Sequence, residues 1–201
     1  ARVTLLVREG ERFEAGNGTL QFDGITHLLG IVGAGKSTLR DILTVHAVRV
    51  LGLRVTLVVG DVAEVLKLTS LFRRHGLRAA PVIGTTTRVR HAERLHRRLA
   101  SRGAGELLDH VDPGFDYLGT ACAIDALRGG EPSPLAYSEA PCARLQPKKG
   151  GRPRLSFSSG VRRGCPFWSE CPRHHAAHEL VDADVWLTTP QSLVHASVPW
   201  P

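Results

Sequence analysis

Residues 30 to 38 read "GIVGAGKST", and this stretch decides the fold. Gly30, Gly35, Lys36 and Ser37 fit the spacing G-x-x-x-x-G-K-[ST]. An apolar run, Ile25 to Val32, precedes it and suits a strand. Leu39, Ile42, Leu43, Val45, Val48 and Leu51 follow at helical spacing. A glycine-rich turn between strand and helix lets backbone N–H groups curl around a phosphate with no Cβ in the way. The helix N-terminus adds its positive end. The nucleotide site is therefore expected on Gly30, Gly33, Ala34, Gly35, Lys36, Ser37 and Thr38. Lys36 is the catalytic cation for the β- and γ-phosphates of ATP, and the Ser37 hydroxyl is the ligand for Mg²⁺. The plain alternative is an ordinary glycine-rich turn with a solvated lysine.

The pattern continues outward as alternating strands and helices. "RVTLVVG" (54–60) is a β-branched run that reads as a buried parallel strand. Asp61 can cap the helix "VAEVLKLTSLFRRHG", which Gly76 ends. "LRAAPVIG" (77–84) reads as another strand and "TRVRHAERLHRRLASR" as a basic helix. "ADVWLTT" (183–189) returns to strand, and Pro190 suits the first turn of a further helix. This order implies an α/β fold with a mostly parallel sheet, of the P-loop NTPase (RecA-like) type. Residues 1–104 form its first part, residues 105–180 an inserted, irregular cysteine-rich region, and residues 181–201 the return to the sheet. Seven Lys or Arg and no acid lie between Arg144 and Arg163.

The chain has 201 residues, 42% of them hydrophobic and only 5% aromatic, with a formal charge of +7. That is enough apolar material for a core, and the basic excess favours polyanionic partners. There is no secretory leader and no bilayer-length apolar run, so no membrane partner and a cytoplasmic setting are expected. The chain starts at Ala1 and stops at Trp200-Pro201, and reads as a piece of a longer protein. A nucleoside triphosphatase also needs an acidic residue at the end of an apolar strand. Asp61 is one candidate, although it follows the strand next after the phosphate-loop helix; the other is a Walker B box beyond Pro201.

Four cysteines in a reducing compartment lean towards metal or catalysis. Cys122, Cys142, Cys165 and Cys171 are separated by nineteen, twenty-two and five residues. This is neither a zinc ribbon nor a ferredoxin run. Four thiolates from separate loops suit Zn²⁺ or an iron–sulfur cluster, and irregular spacing suits the bulkier cubane. A mixed zinc site on Cys165, Cys171, His174 and His178 would leave Cys122 and Cys142 unexplained. Four buried free thiols are the bland alternative.

A phosphate loop, an α/β core interrupted by scattered cysteines, and "CPFWSECPRHHAAHELVDADVWLTTPQSL" (165–193) together resemble the superfamily 2 iron–sulfur helicases, the XPD/DinG-like group. In that family the cluster domain is inserted in the first RecA-like domain, ahead of Walker B. The resemblance implies an ATP-dependent helicase or translocase acting on single-stranded or forked DNA, with RNA as an alternative. It also implies a 4Fe–4S cluster on the four cysteines and a second RecA-like domain beyond Pro201. "VTLVVGDVAEVLKLTSLF" (55–72) sits where the family's motif Ia lies, and "TTPQSL" (188–193) is similar to its backbone-contacting T-P-x-x-L segment. The resemblance gives Arg152, Arg154, Arg162, Arg163 and Thr189 a role along a single strand's phosphates. Phe167 and Trp168 are placed in packing around the metal rather than against a base. The cysteine spacing departs from the family's usual pattern. Arg88, Arg90, Arg94, Arg97 and Arg98 read as a solvated helix face. The alternatives are a P-loop kinase or transferase with a zinc-stapled lid, and a non-catalytic nucleic-acid-binding module.

Overall fold

The computed structural model describes residues 6–9, 12–15, 24–25, 27, 29–103, 112–126, 167 and 170–195. The chain divides into two compact units, Ala1–Val55 and Thr56–Pro201.

In the first unit, strands β1 (Leu6–Glu9) and β2 (Arg12–Ala15) pair antiparallel, Leu6 opposite Ala15 and Glu9 opposite Arg12. Helix α1 (Lys36–Arg49) follows the glycine-rich turn, three residues ahead of the first apolar position in the helical pattern. The apolar run before the turn is not a strand at its described residues. Leu29, Ile31 and Val32 are exposed. The expected strand is thus absent there: an extended segment becomes a strand only when a neighbour takes up its backbone groups, and β1 and β2 take up each other's.

The second unit holds a three-stranded sheet in the order β3 (Val55–Val58), β5 (Val185–Thr188), β4 (Ala79–Val82). The return segment therefore inserts between two strands that are neighbours in sequence. β4 and β5 are parallel, with Ala79 opposite Val185 and Val82 opposite Thr188. The Val59 N–H donates to the Thr188 carbonyl at 2.9 Å and carries the ladder across to the β3 side. β4 buries all four of its residues, and β5 buries Val185 and Leu187 but leaves Trp186 partly exposed. β3, read from its composition as a buried strand, lies at an edge, and its Val58 is exposed. Pro81 sits in β4, the other edge strand, where a missing N–H is tolerated.

Helix α2 (Val62–Arg74) packs on this sheet through Val65, Leu68, Thr69 and Phe72, the i, i+3, i+4, i+7 stripe of an amphipathic helix. Its start is set by Asp61, whose Oδ1 accepts a hydrogen bond from the Glu64 N–H at 2.8 Å. Helix α3 (Arg88–Ala100), the short helices α4 (Gly114–Leu118) and α5 (Ala123–Ala126), and helix α6 (His175–Val181) follow. Helix α7 (Pro190–His195) starts at proline, as the sequence implies. Leu66, Ile83, Leu95, Tyr117, Leu118 and Ala176 form one buried cluster. The described margins of residues 105–180 are thus built into the core of this unit. Arg73 pairs with Glu179 at this margin, and just beyond it Arg78 grips Asp184 through Nε (2.9 Å) and a terminal nitrogen (2.6 Å). No helix among the described residues is long and apolar enough to cross a membrane.

Candidate functional site

Two arrangements carry chemistry, one in each unit. The first is the turn ahead of α1. Gly33 (φ 86°) and Gly35 (φ 77°) both lie in the left-handed region. A Cβ at either would meet nothing within 4 Å, so glycine is required there by backbone conformation rather than by crowding. Gly35 is also the N-cap of α1 and offers no side-chain acceptor, and the first turn carries no acid. The first N–H groups of α1 therefore have neither an intrahelical carbonyl nor a capping side chain. That is the condition under which a helix start receives an anion. Lys36 folds back over the turn, its Nζ donating to the carbonyls of Gly30 (2.7 Å) and Ile31 (2.6 Å). The ammonium is thereby held at the mouth of the loop. Gly30, Gly33, Ala34, Gly35, Lys36, Ser37 and Thr38 lie together on this turn, with Ser37 and Thr38 exposed.

The second is a cleft of about 1270 Å³ at the carboxyl edge of the sheet in the second unit. Every strand contributes its C-terminal end: Gly60 and Asp61 after β3, Ile83 to Thr87 after β4, Thr189 to Ser192 after β5. Ligands of open α/β sheets bind at this edge. Among the described residues five arginines line the cleft (Arg88, Arg90, Arg94, Arg98 and Arg173) against a single carboxylate, Asp61, which is already engaged as the α2 cap. Thr189 lies here, its hydroxyl within 3.2 Å of Ser192 Oγ.

Arg88 and Arg173 are buried and are held by main-chain carbonyls. Arg88 donates to the Arg173 carbonyl at 2.5 Å and to that of Gly119 at 3.3 Å, and Arg173 Nε donates to the Thr120 carbonyl at 3.1 Å. Gly119 lies so close to Pro172 that a Cβ would sit 2.9 Å from its carbonyl oxygen. The segments carrying Cys122 and Cys171 are thus clasped together at the start of α3. Both thiols are free, Cys122 half-buried and Cys171 buried. Cys142 and Cys165, like Arg152, Arg154, Arg162, Arg163 and Trp168, lie outside the described residues.

His174 is the N-cap of α6 and is buried. Burial, with His178, Arg88 and Arg173 nearby, pushes its imidazole down to about 4. Burial also lowers His175 and His178, and the rings of His174 and His178 stand 6.4 Å apart. Among the described residues no group of three or more His, Cys, Asp or Glu side chains could hold a metal ion.

The sequence reading took the basic helix as a solvated face, and Arg90, Arg94 and Arg97 are exposed, but Arg88 is buried; what the reading missed is that Arg90, Arg94 and Arg98 line the cleft. Their four-residue spacing was the available signal; the strand order that puts them at the sheet's edge was not. Comparison with family models, curated proteins and solved structures returns no match.

Proposed function

We propose that the chain is the ATP-binding portion of an iron–sulfur helicase or translocase of superfamily 2, a RecA-like P-loop domain whose cysteine-rich region holds a 4Fe–4S cluster against single-stranded nucleic acid. The observation that carries this reading is the turn at 30–38: two left-handed glycines, an uncapped helix start, and Lys36 held at the loop mouth. Bound ATP supplies a phosphoanhydride whose cleavage drives movement along a strand. Lys36 would hold its β- and γ-phosphates, the N–H groups of Gly33 to Ser37 would cradle them, and Ser37 would hold Mg²⁺. The acid that positions the attacking water would be Asp61 or a Walker B residue outside these 201 residues.

Support for the nucleic-acid part is the cleft: five guanidiniums against one carboxylate at the sheet edge, where the motif Ia-like and T-P-Q-S-L segments meet. Support for a shared metal site is the clasp that joins the Cys122 and Cys171 segments. The same arginines also suit a phosphorylated small molecule, which keeps a zinc-lidded transferase as the second reading. Anaerobic purification, with iron, acid-labile sulfide and zinc measured per chain, separates the two. About four irons, lost in both Cys122→Ser and Cys165→Ser, is the expected result. One zinc, retained in Cys122→Ser, would replace the helicase reading with the transferase.

A further inference from the structure

We propose that α3 is a track for the backbone of a single nucleic-acid strand, with Arg90, Arg94 and Arg98 as its rungs. This rests on the helicase reading and assigns its strand contacts to residues that the resemblance leaves out.

The three arginines are four residues apart, so they share one face and repeat every ~6 Å along the helix axis. All three line the cleft. Cations at this spacing repel one another and weaken an isolated helix. A helix built only for solubility would interleave acids on such a face. α3 carries one acid, Glu93, and it stands four residues before Arg97, on residues that do not line the cleft. Charge compensation is thus spaced on the outer side, while the inner side is left cationic.

Two further observations point to an anion. Arg98 Nε is buried, and among the described residues nothing accepts its hydrogen bond. The one carboxylate that lines the cleft among the described residues, Asp61, is turned to the start of α2. A row of guanidiniums on one helix matches one backbone, which a groove of positive charge follows without reading sequence. The volume, about 1270 Å³, exceeds the roughly 300–1,000 Å³ of small-molecule sites. It therefore suits several nucleotides of a polymer better than one phosphorylated metabolite.

The test is binding of a 20-nucleotide oligothymidylate by the 201-residue chain between 50 and 200 mM salt, for the wild type, the triple variant Arg90→Gln/Arg94→Gln/Arg98→Gln, and Arg97→Gln. Glutamine preserves helix propensity, and circular dichroism checks the fold. Loss of three phosphate contacts should reduce the slope of log K against log salt by about 2. The wild type's advantage over the triple variant then shrinks roughly 15–20-fold across that salt range, while Arg97→Gln keeps the wild-type slope. A folded triple variant with an unchanged slope overturns the track and leaves the helicase reading standing. A wild-type chain that binds no strand overturns the nucleic-acid reading itself. Equal loss of slope on a 20-base-pair duplex overturns the single-strand assignment.

Discussion

Protonation of His174 gives a sharp test of the packing around the cleft. The side chain is 6% exposed and sits among His178, Arg88 and Arg173. Its folded pKa is about 4 against an ordinary 6.5, so the folded chain resists a proton that the unfolded chain accepts. Above pH 6.5 both states are neutral at this residue and no penalty exists. As pH falls below 6.5 the unfolded state takes up the proton first, and stability falls until the folded ring also titrates near pH 4. Linkage between these values gives a loss of roughly 2 kcal/mol on going from pH 7.5 to pH 5, and about 3 kcal/mol in full. Urea unfolding followed by tryptophan fluorescence, at both pH values, should show the wild type losing about this much more than His174→Gln. The difference between the two proteins should change by about 1 M in urea midpoint. His91, His175 and His178 are also lowered by burial, but both proteins share them, so the difference isolates His174. Parallel pH profiles, or an imidazole that titrates near 6.5 by NMR, would refute the buried, cation-flanked placement.

Other perturbations test the remaining elements. Phe72, fully buried between α2 and the sheet, should cost about 3–5 kcal/mol when changed to alanine, read as a lower urea midpoint with m unchanged. Lys36→Ala should abolish the thermal stabilisation that MgATP gives the wild type, which at a hundredfold excess over Kd corresponds to about 2.7 kcal/mol; equal stabilisation in both proteins would remove Lys36 from the nucleotide site. Asp61→Ala should cost about 1 kcal/mol through loss of the α2 cap, and Asp61→Asn should recover most of it. Failure of asparagine to rescue would mean that the charge, not the cap, is what Asp61 supplies.

Local grammar was legible in the residues alone. Asp61 and Gly76 bound α2, Pro190 starts α7, and the G-x-x-x-x-G-K-S spacing names Gly35, which is left-handed, while the other left-handed glycine, Gly33, falls at one of its open positions. Each depends on chemistry within a few residues: a capping oxygen, a missing Cβ, a missing N–H. The order of the sheet was not legible, because strand pairing is decided by which edge each segment finds. β5 enters between β3 and β4 from more than a hundred residues away in sequence. That insertion alone places Thr189 beside the ends of the earlier strands. The same tertiary choice makes the exposed arginine face of α3 a wall of the cleft, because the field such a face meets is a property of the assembled neighbours. Sequence periodicity determined that Arg90, Arg94 and Arg98 share a face; only the packing of α3 against the sheet edge decided what that face looks at.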